Sequence, residues 1–228
     1  MSKQTAFEFA NGLVLAGLNI LFPTLCFGCE RAVQPSDILC ASCLHRLPAA
    51  DREGLEKQWH THAETCKARV TACWAYDADG TVQAIQHALK YGGQPWIGPK
   101  VGRLMGRVVR AENVDVIVPV PLARLRFLER GYNQSERLAA GLSDGLNRPV
   151  LPGGLRRTRH TRGQASLDRT RRQTNVRGAF EADPEVAGQR ILLVDDVVTT
   201  GATLLAAAQA LLEAGAADVL ALAMAYAP

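Results

Sequence analysis

The segment Arg190-Ile-Leu-Leu-Val-Asp-Asp-Val-Val-Thr-Thr-Gly-Ala-Thr-Leu204 constrains the fold more than any other stretch of this 228-residue chain. Residues 191–194 are four consecutive aliphatics without polar alternate positions, as a strand buried on both faces requires. The run ends in two adjacent carboxylates, Asp195 and Asp196. It then crosses a short Thr/Gly loop and enters a helix predicted over 202–214. A strand covered on both sides and followed at once by a helix is the unit of a parallel sheet flanked by helices. Neighbouring segments repeat the alternation: 70–76, 114–120 and 219–226 read as strands, and 81–90, 97–110 and 133–146 as helices.

In an open parallel sheet, ligands bind beyond the carboxyl ends of the strands, where the loop after Asp196 lies. The first turn of the following helix offers unpaired N–H groups and the positive end of its dipole, a seat for a phosphate. Gly201 lets the main chain come close, and the hydroxyls of Thr199, Thr200 and Thr203 add donors. Two carboxylates just upstream can accept hydrogen bonds from a sugar diol. Phosphate on one side and diol on the other describe a ribose 5-phosphate. The plainer alternative is that the acids close a turn and Thr199 or Thr200 caps the helix. Capping takes one oxygen and leaves the second carboxylate unexplained. Neither a G-x-x-x-x-G-K-[ST] loop nor a G-x-G-x-x-G loop occurs in the chain.

Charge is spread unevenly. Residues 153–178 hold eight arginines against the single acid Asp168, a local +7, whereas 179–228 carry −6, within a formal total of +4. Such a basic block repels itself unless an anion sits against it, and phosphates on a small molecule or a nucleic acid are the natural counter-charge. Aromatic residues make up 6% of the chain and the basic block has none, which argues against single-stranded bases stacking there. With 47% apolar and 21% charged residues, a largely disordered chain is excluded. Residues 5–21 show helical spacing, with Phe9, Leu13, Ala16 and Ile20 on one stripe expected to pack against the body of the protein. The apolar run 7–26 is interrupted by Glu8, Asn11, Asn19 and Pro23, so no membrane span is expected in it. With no A-x-A-like cleavage site either, the expected address is the cytoplasm.

Four of the six cysteines form two C-x-x-C knuckles, Cys26-Phe-Gly-Cys29 and Cys40-Ala-Ser-Cys43. Each knuckle aims two thiolates at one point. The two together make a closed four-thiolate site, the usual composition of structural zinc. Two disulfides are the alternative, disfavoured in a cytosolic setting. A closed site has no open coordination position and stabilises a module without doing chemistry. Cys66 and Cys73 lack knuckle spacing. Cys73 falls in a predicted strand and reads as a small buried hydrophobe, while Cys66 with His60 and His62 is a weak candidate for a second site.

The string Val194-Asp-Asp-Val-Val-Thr-Thr-Gly-Ala-Thr203 resembles the motif with which type I phosphoribosyltransferases bind 5-phosphoribosyl 1-pyrophosphate, PRPP. Pro119-Val-Pro-Leu122, Arg130-Gly-Tyr-Asn-Gln134, His87-Ala-Leu-Lys-Tyr-Gly92 and Arg171-Arg-Gln-Thr-Asn-Val-Arg-Gly-Ala-Phe180, behind the paired knuckles, resemble the ComF/GntX family. That family is associated with bacterial competence and the use of external DNA. The chain departs from it in one respect: Cys66 and Cys73 do not form the additional C-x-x-C pair often present in relatives.

The resemblance implies an α/β fold, a type I phosphoribosyltransferase-like parallel sheet flanked by helices, over 70–228. A small four-cysteine zinc module would precede it within 1–69. Asp195 and Asp196 would hold the ribose hydroxyls, and Val197, Val198, Thr199, Thr200, Gly201, Ala202 and Thr203 would wrap the 5-phosphate. Val120 and Pro121, with Arg124, stand in the place of the pyrophosphate loop. Lys90, Arg124, Arg130 and the arginines of 156–172 are candidates to neutralise the departing pyrophosphate beside Mg2+. No residue declares itself the catalytic base. Tyr132 and Asn133 are candidate contacts to an acceptor base, with packing an equal reading. The expected ligand is PRPP, and single-stranded DNA or DNA-uptake proteins are candidate partners. The alternative function is a nucleic-acid-handling or scaffold protein that keeps the fold without the chemistry. The acceptor and the oligomeric state stay open.

Overall fold

The structure is a computed structural model and describes residues 23–62, 66–109, 113–158 and 178–228. The helix expected over 5–21 and most of the basic block, His160 and Asp168 included, lie outside these residues. The chain divides into two compact units, Met1–Leu47 and Pro48–Pro228.

In the first unit a two-residue antiparallel ladder joins β1 (Thr24–Leu25) to β2 (Ala32–Val33), and a short helix α1 (Ala41–His45) follows. Its buried hydrophobics among the described residues are Cys26, Ile38, Leu39 and Cys43. Apolar burial among these residues is slight, and a cross-link or a metal would add to their stability.

The second unit opens with α2 (Arg52–His62), β3 (Arg69–Ala75), α3 (Thr81–Lys90), α4 (Ile97–Val108) and β4 (Val116–Pro119). It continues through α5 (Arg124–Arg130), α6 (Gln134–Leu146), a small hairpin of β5 (Leu155–Arg157) and β6 (Phe180–Ala182), β7 (Arg190–Val198), α7 (Ala202–Glu213) and β8 (Asp218–Tyr226). Four strands form one parallel sheet in the order β3-β8-β7-β4, with β7 and β8 at its centre. This is the flanked parallel sheet that the apolar runs predict.

Alternation along the strands assigns the faces. Val70, Val116, Val118, Ile191, Leu193, Val219 and Ala221 join one buried cluster with Leu55 and Trp59 of α2 and Leu204, Ala207 and Leu211 of α7. The intervening residues Ile117, Leu192, Leu222 and Met224 are equally buried and face the opposite way. On that side α4 and α6 touch backbone to backbone. A Cβ on Gly102 would fall 2.1 Å from the Leu138 carbonyl oxygen, and one on Gly141 would fall 1.9 Å from that of Pro99. Only glycine lets the two helices approach so closely, and α6 is thereby pressed onto β4 and β7.

The register Val116↔Ile191 and Pro119↔Val194 brings the carboxyl ends of β4 and β7 to the same edge of the sheet. The β7 ladder continues past the acids, with Val197 opposite Ala225 and Val198 opposite Tyr226. Val197 and Val198 are thus strand residues, and the loop proper begins at Thr199. No helix among the described residues is long and apolar enough to cross a membrane.

Candidate functional site

The site is built at the carboxyl edge of β7, where burial and hydrogen bonding hold both acids. Asp196 is buried, its side chain 6% exposed, with Oδ2 2.5 Å from the Lys90 ammonium at the end of α3. Gln134, the first residue of α6, donates to Asp196 Oδ1 at 3.4 Å. Asp195 Oδ1 accepts from the Ser135 hydroxyl at 2.9 Å and from the Asp196 N–H at 2.9 Å. Desolvation, reinforced by the neighbouring Asp196 carboxylate, pushes the Asp195 carboxyl up to about 7, although its hydrogen bonds and Lys90 pull the other way. A second carboxylate at this spot raises the cost of charge, which a cation or a hydroxyl-bearing ligand would relieve.

Beside the acids lies a hollow of roughly 120 Å³, lined by Asp195, Val197, Thr199, Thr200, Gly201 and Thr203 among others. Gly201 is the N-cap of α7 with φ +78°, and no side chain caps the helix there. The Thr200 hydroxyl lies 3.5 Å from the Ala202 N–H, at the far limit of a hydrogen bond. The plainer expectation of a threonine cap is thus met only by this long bond, and the first turn of a 12-residue helix keeps its anion-binding character. The loop is also braced from outside. Gln58 of α2 donates to the Thr199 carbonyl at 2.5 Å and accepts from the Tyr226 hydroxyl at 2.8 Å. A Cβ on Gly201 would meet the Trp59 ring at 3.3 Å.

The remaining sequence candidates are placed unequally. The Val120 N–H donates to the Val194 carbonyl at 2.9 Å and its carbonyl accepts from Asn133 Nδ2 at 3.0 Å, so its main chain is already engaged. Pro121 follows half-buried, and no cis peptide occurs among the described residues. Arg124 is exposed at the start of α5, while Arg130 at its end donates to Gln134 Oε1 at 3.0 Å. Lys90, Arg130, Gln134 and Asp196 thus form one connected group. Of the basic block, Arg156 pairs with Asp183 at 2.9 Å, and Arg157 lies 5.3 Å from the centre of the Phe180 ring. Burial lowers the Arg157 pKa and the charge of Asp195 raises it.

For Tyr132 and Asn133 the structure supports the packing reading. Tyr132 is buried with its hydroxyl donating to the Leu89 carbonyl at 2.5 Å. Asn133 is the N-cap of α6, its Oδ1 accepting from the Ser135 N–H at 3.0 Å. Both are consumed in placing Gln134 and Ser135 against the acids. Those two residues, with Gln58 and Trp59, are what the sequence reading missed. An Asn-Gln-Ser start to a helix was the available signal for the first pair.

In the N-terminal unit the sulfurs of Cys26, Cys29, Cys40 and Cys43 lie within 4.8 Å of one another, the one such cluster among the described residues. Cys29 and Cys40 Sγ are 3.7 Å apart, and metal–sulfur bonds of about 2.3 Å arranged tetrahedrally give edges of about 3.8 Å. Main-chain N–H groups reach Cys26 Sγ at 3.3 Å and Cys40 Sγ at 3.4 Å, and the Arg46 guanidinium reaches Cys43 Sγ at 3.3 Å. These donors suit thiolates. Arg46 lowers the Cys43 pKa, yet burial and the three neighbouring thiols outweigh it and push it up to about 11. Four sulfurs at this spacing would need a cation between them once ionised, and the donor set fits a tetrahedral metal site. All six cysteines are free of disulfides, with Cys73 buried in β3 and Cys66 outside the cluster.

The phosphoribosyl transferase domain family matches residues 91–228. The DNA utilization protein YhgH of Escherichia coli (strain K12) is 32% identical over 208 residues, which cover 86% of this chain and 87% of that protein. Competence protein F of Haemophilus influenzae is 30% identical over 202 residues, covering 82% of this chain and 83% of its own length. Competence protein ComFC of Bacillus subtilis is 35% identical over 102 residues, 45% of this chain and 40% of that one. A domain match across more than half of the chain, with relatives running beside most of its length, makes this protein a member of the phosphoribosyl transferase domain family, of the ComF type.

Proposed function

We propose that the carboxyl-edge site binds PRPP with Mg2+ and that the four-cysteine cluster holds a structural zinc ion. The observation that carries the reading is the carboxylate pair beside a glycine-led helix start, around a hollow of phosphate size. A ribose diol donates hydrogen bonds to Asp195 and Asp196. The 5-phosphate accepts from the N–H groups and hydroxyls of the 199–203 loop. Hard carboxylate oxygens beside a pyrophosphate suit Mg2+, which when bound neutralises the leaving group. Lys90, Arg124 and Arg130 add cationic support at that end. In the transfer, an acceptor nucleophile bonds to C1 of the ribose as the C1–O bond to pyrophosphate breaks. Pyrophosphate departs with the electron pair and the acceptor gives up its proton. In this reading the transferase-type domain occupies 70–228 and the zinc module lies within 1–69. The names of relatives, competence and DNA utilization, support a role for this protein in DNA uptake or use.

Calorimetry of PRPP with Mg2+ tests the site. Binding should be lost in Asp195→Ala/Asp196→Ala, and unchanged affinity in that variant would remove the reading. A screen for pyrophosphate release across acceptors then tests turnover. A second reading, nucleic-acid handling by a protein that keeps the PRPP site as a sensor, is favoured by the +7 block at 153–178 and by the names of the relatives. Single-stranded DNA binding that weakens steeply with salt and survives the double alanine variant would support it.

A further inference from the structure

Helix α5 sits on the protein inside out. Its seven residues, Arg-Leu-Arg-Phe-Leu-Glu-Arg over 124–130, include none that is buried. At 3.6 residues per turn, Arg124, Leu125, Phe127 and Leu128 fall in one half of its circumference and Arg126, Glu129 and Arg130 in the other. A surface helix ordinarily turns its apolar half to the core, as α3 does with Val82, Ile85, Ala88 and Leu89. In α5 the hydrogen bond to the body comes from the charged half. Arg130 donates to Gln134 Oε1 at 3.0 Å and is the one residue of the helix that is half-buried. Leu125, Phe127 and Leu128 are left 66%, 45% and 70% exposed. Three of the seven exposed large hydrophobics among the described residues thus fall on one short helix.

Such clustering marks a face that something covers, and the charges say what. The helix carries three arginines against Glu129, and Arg126 already holds that acid at 2.9 Å. Arg124 stands exposed within the apolar half. In a protein groove its guanidinium would need an acid built to meet it. At a bilayer the aliphatic stem lies beside the leucines while the charged head rises to the lipid phosphates. A second copy of α5 would set arginine against arginine, and seven residues bury far less than the roughly 1,200 Å² of a stable dimer. We propose that α5 is a membrane-surface contact, which lays Leu125, Phe127 and Leu128 into the headgroup boundary of a bilayer containing anionic lipid. The helix lies on the bilayer and is too short to cross it. The inference stands apart from the PRPP reading, since none of these three side chains is among the residues named for that ligand.

The test is co-sedimentation of the full-length protein, at low salt and without PRPP, with two kinds of vesicle. One is phosphatidylcholine carrying about one-third phosphatidylglycerol, a share set to give a negative surface potential, and the other is phosphatidylcholine alone. The native protein should bind the anionic vesicles about tenfold more tightly, the scale of a few arginines near a charged surface, and raised salt should erase the preference. Leu125→Ser/Leu128→Ser should weaken binding to the anionic vesicles by about tenfold or more, and Phe127→Ser alone by a smaller factor. Because neither leucine is buried, the double variant should keep the native melting curve. A large fall in melting temperature would overturn the proposal, as the leucines would then be structural. A native protein that ignores the anionic vesicles, or binds both compositions equally, would overturn it as well. So would binding that survives the double serine variant, since another part of the chain would then hold the lipid. Sedimentation velocity without lipid should show no dimer that depends on this face. A dimer that the double variant dissociates would give the face to a second copy and overturn the membrane assignment.

Discussion

Lys90→Met isolates the ion pair that partners Asp196 inside the protein. The Lys90–Asp196 contact is 2.5 Å long, with the two side chains 17% and 6% exposed, so neither charge is well hydrated. Removing one partner of a buried pair costs about 3–5 kcal/mol, because the other charge stays behind. Lys90 keeps some contact with solvent and Gln134 still donates to Asp196, which places the expected loss at about 3 kcal/mol. For a chain of this size each kcal/mol is worth about 2–4 °C, so the melting temperature should fall by about 6–12 °C. Asp196→Asn should cost only about 1 kcal/mol, since the long Lys90 side chain can swing its ammonium to water. The double variant, with no charge left to strand, should recover to within about 1 kcal/mol of the native protein, a coupling of about 3 kcal/mol or more. Urea or thermal unfolding of all four proteins measures the cycle. Single effects that simply add, within about 0.5 kcal/mol, would refute the claim that this pair is a coupled buried unit.

Gly201→Ala should lower stability by about 1–2 kcal/mol through its left-handed backbone, and more if the Trp59 ring at 3.3 Å cannot shift. An unchanged melting curve would contradict that geometry. The raised pKa of Asp195 means that its contribution to stability is complete below about 3.9, the unfolded value, and is lost as pH rises through about 7. The stability difference between native protein and Asp195→Asn should accordingly change across that window and level off above it. A ribose diol bonds better to ionised carboxylates, so PRPP affinity should rise from pH 6 to 8 with proton release, seen as a buffer-dependent binding enthalpy. Metal analysis should find one zinc per chain. Its removal by chelator, or by Cys26→Ser/Cys29→Ser, should abolish hydrogen-exchange protection in 23–47 while β7 and β8 keep theirs. A protected, metal-free 23–47 segment would count against a structural zinc.

The sheet was legible because its central strands carry unbroken aliphatic runs, Ile191 to Val194 and Val116 to Val118, which only a doubly covered strand explains. The acid pair and the glycine of the loop were equally plain, since closing a turn accounts for only one of two carboxylates at the end of a buried strand. What escaped were elements without a period. Helix α2 has only Leu55 and Trp59 as buried apolar anchors within Arg-Glu-Gly-Leu-Glu-Lys-Gln-Trp-His-Thr-His. Helix α5 buries no residue at all, and its Leu125, Phe127 and Leu128 are exposed. The end of β7 was read too early because the acids look like a boundary, whereas ladder pairing with β8 carries the strand through Val198. The role of Tyr132 was invisible for another reason: a tyrosine beside a conspicuous Arg-Gly pair looks like a ligand contact until its hydroxyl is seen on the Leu89 carbonyl.

Gln58 and Trp59 carry a consequence for how the molecule can be cut. Both belong to a helix upstream of the matched stretch 91–228, yet they splint the very loop on which a phosphate would sit. A fragment excised at residue 70 would retain every carboxylate, threonine and arginine named for PRPP and still present a slack cradle. The segment ahead of the domain is therefore part of what holds that loop in shape.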